Sequence, residues 1–194
     1  MQELRNLTDA IWINILMVVT SIPIVTVGAA ITAAHDANRR ALQGEAGGVT
    51  RNYFTAFRAN FAESTALWAV FGITGAALAY AWVVLQITPL LVPKIGLTLV
   101  WIIGFEWVFA LQARFENTVG RTLANAFIFG INHILLTVGM IVLDAIWVGL
   151  LAACWFLFPQ GLFLLMIMGY GTMILCHIPL LERGFAQYLK SGEE

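Results

Sequence analysis

Asp144 stands near the middle of a membrane-length apolar run, with His133 and Thr137 on its helical face and Met140 slightly to one side. A carboxylate at the bilayer centre costs on the order of 2.5–3.5 kcal/mol on insertion scales, so it calls for a polar partner, an ion path or a proton relay. Glu106 is the second such group. It lies about 10 Å in from the end of another apolar run, sharing its face with Ala110, Ala113 and Asn117, mostly small residues that suit close helix contact. A third constellation surrounds the segment TSIPIVTVGAA, where Asn14, Ser21, Gly28 and His35 recur every seven residues with Thr32 alongside. Pro23 has no N–H to give to Val19, and in lipid no water replaces the lost bond, so the helix must kink or break there. Thr20, Ser21 and Thr26 are the nearest groups able to satisfy the freed backbone. Two readings stay open. Pro23 makes a packing kink, or a broken helix carrying Asn14, Ser21, Pro23, Thr26, Gly28 and Thr32 lines a polar interior shared with His133, Thr137, Asp144 and Glu106.

Other chemistry finds no footing in the pattern. The chain has no phosphate loop, no nucleophile elbow and no carboxylates paired at close sequence spacing, so it is expected not to be an enzyme. No His or Cys spacing suits a metal, and no cofactor is expected. His177, near Arg183, reads as an interfacial polar group. Cys154 and Cys176 fall in different runs at different depths, too far apart for a bridge.

The elements that must position these groups follow from composition. Residues are 60% hydrophobic and 11% charged, with a mean hydropathy of +0.85, against about 45–50% and 25% in soluble domains. An all-α, polytopic membrane bundle is expected to take up the chain as a single integral membrane domain, 1–194. Net charge is −1, and with so few basic residues, thinly spread, nucleic acid is not an expected partner. The lipid bilayer is. Apolar runs long enough to cross about 30 Å of hydrocarbon give five expected spans, at 10–34, 64–87, 91–113, 131–157 and 160–181. The first run is too long, and its leading residues too acidic, for a cleaved signal peptide. LANAFIFG, before the fourth span, is expected to lie at the surface or tilt, with a bend at Gly130.

Arg39, Arg40, Arg51, Arg58, Arg114, Arg121, Arg183 and Lys190 lie in connections on one side, and Arg5 and Lys94 on the other. This places the amino terminus outside and the carboxyl terminus in the cytoplasm. Pro23 leaves a second geometry open, a re-entrant pair of half helices that puts both termini inside. After the flexible QGEAGG comes a helix with Phe54, Phe57 and Phe61 on one face and Arg51 and Arg58 beside them, expected to anchor in the cytoplasmic interface. Small-residue sets at Gly72, Ala76 and Ala79 and at Gly169, Thr172 and Cys176 are expected packing faces.

The stretches NILMVVTSIPIVTVGAAITA, YFTAFRANFAEST and LQARFENTVGRTLANAF, in this order, resemble the bacterial YesL family, small membrane proteins catalogued as a domain of unknown function. The most specific matches are Ile22, Pro23, Thr26 and Gly28, and the run Ala113 to Thr118. The resemblance implies the bacterial cytoplasmic membrane and a carbohydrate-utilisation setting, because family members are often encoded beside sugar ABC transporters. It implies no known activity. Family members commonly carry a proline in the third span, where this chain has FEWVFALQARF, so Glu106 is not carried over by analogy. Two functions are therefore expected as alternatives. One is an accessory component of a sugar-uptake system, with an ABC transporter permease as partner; the other is a small transporter or channel for a polar solute or ion that assembles as a homo-oligomer.

Overall fold

The computed structural model describes residues 2–45 and 47–190; Ala46 of the expected flexible turn lies outside them. Among the described residues the fold is helical, without strands. Its helices are α1 Gln2–Thr20, α2 Val27–Gln43, α3 Val49–Ala59, α4 Phe61–Val83, α5 Leu91–Arg114, α6 Val119–Asn132, α7 Ile134–Leu157 and α8 Gly161–Lys190. Among the described residues four helical stretches are long and apolar enough to cross a membrane, Phe61–Val83, Thr88–Arg114, Ile134–Leu157 and Gly161–Ala186. They correspond, within several residues, to the second through fifth expected spans. LANAFIFG belongs to the separate helix α6, and the bend falls just beyond Gly130, at His133.

The expected first span, 10–34, is not one helix. α1 stops at Thr20, Pro23 is extended at φ −74° and ψ 109°, and a 3-10 turn over Ile24–Thr26 leads into α2. The backbone groups released by the proline are taken up locally. The Thr26 hydroxyl donates to the Pro23 carbonyl at 2.7 Å and to the Thr20 carbonyl, and the Thr26 N–H also donates to Pro23 at 2.8 Å. The chain then doubles back. Asn14 of α1 accepts from the Gly171 N–H at 3.1 Å while Asn38 of α2 donates to the Gly171 carbonyl at 3.2 Å. In one straight helix those two asparagines would be about 36 Å apart at 1.5 Å per residue. The Tyr53 hydroxyl closes the same hairpin, touching Thr20 Oγ1 at 2.6 Å and the Ala30 carbonyl at 3.4 Å.

The hydropathy of 10–34 misled because α2 is apolar for a different reason than a lipid-facing helix. Every residue from Gly28 to Asn38 is buried, and the surroundings are other helices: α1, α3, α4, α5 and α8 all pack on it. Gly28 permits this approach, since a Cβ there would stand 2.2 Å from the Ser64 carbonyl oxygen and 2.6 Å from Trp68 Cβ. Thr32 bonds Ser64 at 2.8 Å one turn later. The α4 face expected to pack through small residues is open instead. A Cβ at Gly72 would meet nothing within 4 Å, and Ala76 and Ala79 are exposed. On α8, Gly169 and Thr172 are buried and Cys176 is exposed. Both cysteines are free.

On the expected anchor, Arg51, Phe54 and Arg58 are exposed and Phe57 half-buried on α3, while Phe61 is exposed as the first residue of α4. Tyr53 and Ala56 fix the opposite face.

The hairpin makes a prediction about accessibility. With Cys154 and Cys176 replaced by serine, single cysteines at Leu4 and Gln43 are expected to react with a membrane-impermeant maleimide from the same side of the membrane. Labelling from opposite sides would mean that 10–34 crosses.

Candidate functional site

The bundle interior is organised by a second broken helix, in α8. Gly169 has φ 50° and ψ −172°, a conformation essentially reserved for glycine, so the helical hydrogen-bond ladder is interrupted there. Asn14 fills the gap: its Nδ2 donates to the carbonyls of Met166 at 3.0 Å and Ile167 at 2.8 Å, while its Oδ1 receives the Gly171 N–H. Thr172 satisfies two more carbonyls, those of Met168 and Gly169. A buried break without such partners would leave orphaned groups at about 1–3 kcal/mol each. The Gly169 break therefore fixes where the rest of α8, with Tyr170 and His177, lies.

Below the break three helices converge. One ligand-type atom from each of Glu106 on α5, Asp144 on α7 and His177 on α8 lies within 4.8 Å of the others, and His177 Nε2 is 3.3 Å from Asp144 Oδ1. Glu106 and His177 are 7% and 2% exposed. Glu106 Oε2, Asp144 Oδ1 and His177 Nε2 are all shut from solvent without a hydrogen-bond partner, as is Nδ1 of His35 on α2. His35 lies within electrostatic reach of His177 and Asp144, and Tyr170 of Asp144 and Glu106. Two carboxyls and one imidazole thus meet one another, His177 pairing with Asp144 when protonated, and a second imidazole, that of His35, stands within electrostatic reach. The described cationic side chains nearby are engaged elsewhere. Arg39 and Arg40 each hold Asp36 at 2.7 Å, and Arg114 pairs with Glu182 at 3.5 Å.

Two spaces adjoin the cluster. His35 lines a cavity of about 20 Å³, room for one water, together with Arg39, Ala110, Arg114, Ile178 and Glu182. Arg39 and Arg114 also line a polar groove of about 690 Å³. Asp144 borders a separate cleft of about 310 Å³ that is otherwise apolar, walled by Val27, Ile31, Trp68, Phe105, Trp147 and Tyr170.

Of the residues singled out in the sequence, Glu106 and Asp144 come together. The others are distributed. Asn14 serves the α8 break, Gly28 and Thr32 pack on α4, and Ser21, Pro23 and Thr26 form the hairpin turn. Thr137 lies on the same helix as Asp144 and His133 at the bend that precedes it, and both belong to a different neighbourhood. Thr137 accepts from Trp107 Nε1 at 2.9 Å, and the His133 ring packs against Trp107, Phe129 and Tyr188. His177 is the residue that sequence reasoning misplaced: it is a member of the cluster rather than an interfacial group. The available signal was its seven-residue spacing from Tyr170, one residue past a glycine.

Part of the chain is similar in sequence to a catalogued family. Residues 10–82 match the model of a family described as a protein of unknown function, DUF624. No curated protein and no solved structure matches the chain. The matched region covers the helical hairpin, α3 and α4, and so contains His35 but neither Glu106, Asp144 nor His177. The YesL likeness read from the sequence is supported at this coarser level, a domain of unknown function.

Proposed function

We propose that this protein handles a cation within the membrane, as a small transporter or channel, and that Glu106, Asp144 and His177 form its working site. The carrying observation is the convergence, from three helices, of three shielded polar atoms, two carboxylate oxygens and an imidazole nitrogen, none of them in a hydrogen bond. Buried polar groups ordinarily find partners, and two converging carboxylates that no described arginine or lysine pairs with are complementary to a positive charge. The cavity beside His35 and the cleft beside Asp144 supply approaches. This reading involves no covalent chemistry, and homo-oligomers would give a four-span bundle more room for a pathway.

The arginine-bearing ends of α2, α5 and α8 face the cytoplasm in this proposal, by the excess of positive charge there. In the same proposal the 10–34 hairpin returns the amino terminus to that side too, as in the re-entrant geometry, and the membrane is the bacterial cytoplasmic one.

The experiment is reconstitution into liposomes with a pH or divalent-cation gradient. Wild-type protein is expected to dissipate one of them, and Asp144→Asn to slow it at least about tenfold, equivalent to about 1.4 kcal/mol. The amide retains size and hydrogen bonding but not charge. Wild-type vesicles no leakier than empty ones, or an Asp144→Asn variant with full flux, would overturn the reading.

A second reading is favoured by the 690 Å³ groove, where Arg39, Arg40 and Arg114 alternate with Asp36, Glu63 and Glu116 between α2, α3, α4, α5 and the 115–118 connection. A charged concavity of this kind suits a docked protein segment, and a sugar-importer permease is the partner implied by the family resemblance. Co-purification of such a permease in mild detergent, lost on reversing Arg40 to Glu, separates it from the first.

A further inference from the structure

We propose that Glu106, Asp144 and His177 bind one divalent first-row transition-metal ion inside the bundle. The inference rests on the cation-site reading above and names the class of cation.

The geometry of the His177–Asp144 pair is the first reason. Nε2 and Oδ1 are 3.3 Å apart, yet neither atom is in a hydrogen bond. As a hydrogen bond the contact is long, and it is an ion pair only when the imidazole is protonated. As an edge of a coordination polyhedron it is ordinary: two ligands each about 2.0–2.1 Å from an ion at a tetrahedral angle lie about 3.4 Å from each other. Glu106 completes a triangle whose atoms all fall within 4.8 Å, wide enough to hold an ion between them.

Charge is the second reason. No described arginine or lysine forms an ion pair with Glu106 or Asp144; the nearby ones are committed to Asp36, Glu45 and Glu182. A divalent ion neutralises both carboxylates at once and gives the imidazole nitrogen a Lewis acid to bind. Protons achieve the same only as a pair, one on Glu106 and one on the imidazole facing Asp144 at 3.3 Å, whereas one divalent ion does it in a single binding event.

The donor set narrows the ion. One imidazole and two carboxylates without thiolate suit Zn²⁺, Mn²⁺ or Fe²⁺, whereas Ca²⁺ takes six to eight oxygens and Cu⁺ prefers sulfur. Cys176, adjacent to His177 in sequence, is exposed and does not belong to the group of converging atoms. Three protein ligands leave a position open, which is what an ion that must enter and leave requires. His35, whose Nδ1 is unpartnered and which interacts electrostatically with His177 and Asp144, lies beside the site on the side of the small cavity and outside the set of converging atoms.

Purified full-length protein in detergent, stripped with a chelator, is titrated with Co²⁺ and followed by its d–d absorption. A spectrum of nitrogen and oxygen ligation is expected, saturating at a single ion per chain, free of thiolate charge-transfer bands and bleached by Zn²⁺. Glu106→Gln and His177→Gln, each monodisperse by size exclusion, should weaken Co²⁺ binding at least about tenfold, the low end of the loss seen even for outer-shell changes. His133→Gln should leave it unchanged. No Co²⁺ spectrum from the wild type, with no Zn²⁺ retained on dialysis, would overturn the metal, and so would unaltered binding by both ligand variants. If in that case Asp144→Asn still blocks flux in liposomes, the cation is a proton or monovalent ion and the functional reading stands. If flux is also unaffected, both fall.

Discussion

Gly171→Leu is expected to yield little or no monodisperse protein, while Gly72→Leu behaves as wild type. A Cβ at position 171 would stand 2.6 Å from Asn14 Cβ, 2.7 Å from its Cα and 2.9 Å from its backbone nitrogen. Two of those three atoms are main chain, so no rotamer change relieves the overlap. α1 has to move away from α8. That motion would pull Asn14 off the Met166 and Ile167 carbonyls and the Gly171 N–H, leaving the break at Gly169 unsatisfied. Overpacking alone typically costs about 1–3 kcal/mol, and the orphaned carbonyls add about 1–3 kcal/mol each. Against a total stability of about 5–15 kcal/mol that is a large share. Position 72 has open space within 4 Å. Size-exclusion profiles and thermal unfolding of the two variants, measured side by side, check the contrast. A monodisperse Gly171→Leu protein with wild-type melting would mean that α1 does not pack on α8 at Asn14.

Trp107→Ala is expected to lose about 3–5 kcal/mol, the range for deleting a large buried aromatic. Trp107 is 0% exposed and lies where α5, α6, α7 and α8 meet. Its ring contacts Phe129 at 5.7 Å, His133 at 5.9 Å and Phe185 at 5.8 Å, and its Nε1 donates to Thr137. Within a bilayer the transfer of apolar surface from water is not what holds helices together, so packing contacts of this kind carry the association. Truncation leaves a cavity that lipid chains cannot enter. Trp155, 67% exposed on α7, is the control, and Trp155→Ala should change stability by no more than about 0.5 kcal/mol. Both are measured as shifts in thermal unfolding in the same detergent. Equal melting of the two variants would remove Trp107 from the core.

Residue types alone determined that this chain builds a helical membrane bundle. Four of its apolar runs were legible as long helices, because a run of about 20 apolar residues has few other stable solutions. Pro23 was legible as an interruption and Asp144 and Glu106 as groups needing partners, because their chemistry is costly in lipid whatever surrounds them. What the interruption becomes was not legible. A proline forces the helix to stop, but whether the chain then continues or folds back depends on what Asn14 and Asn38 meet, and both meet Gly171, more than 130 positions along the chain from either.

The cluster was half legible for the same reason. Helical spacing relates Thr137 to Asp144 along one helix, yet it could not say that the helix would begin only after His133, nor that Trp107 would claim Thr137 and leave His177 to meet the carboxylate. Periodicity relates residues within one helix. The rotation of one helix against another is set by side-chain shape at contacts such as Gly28 on Ser64 and Gly171 on Asn14, which only the tertiary structure decides. Glu106, Asp144 and His177 stand 38 and 33 positions apart, with no local pattern to link them. Their encounter comes from how α5, α7 and the broken α8 are turned toward one another.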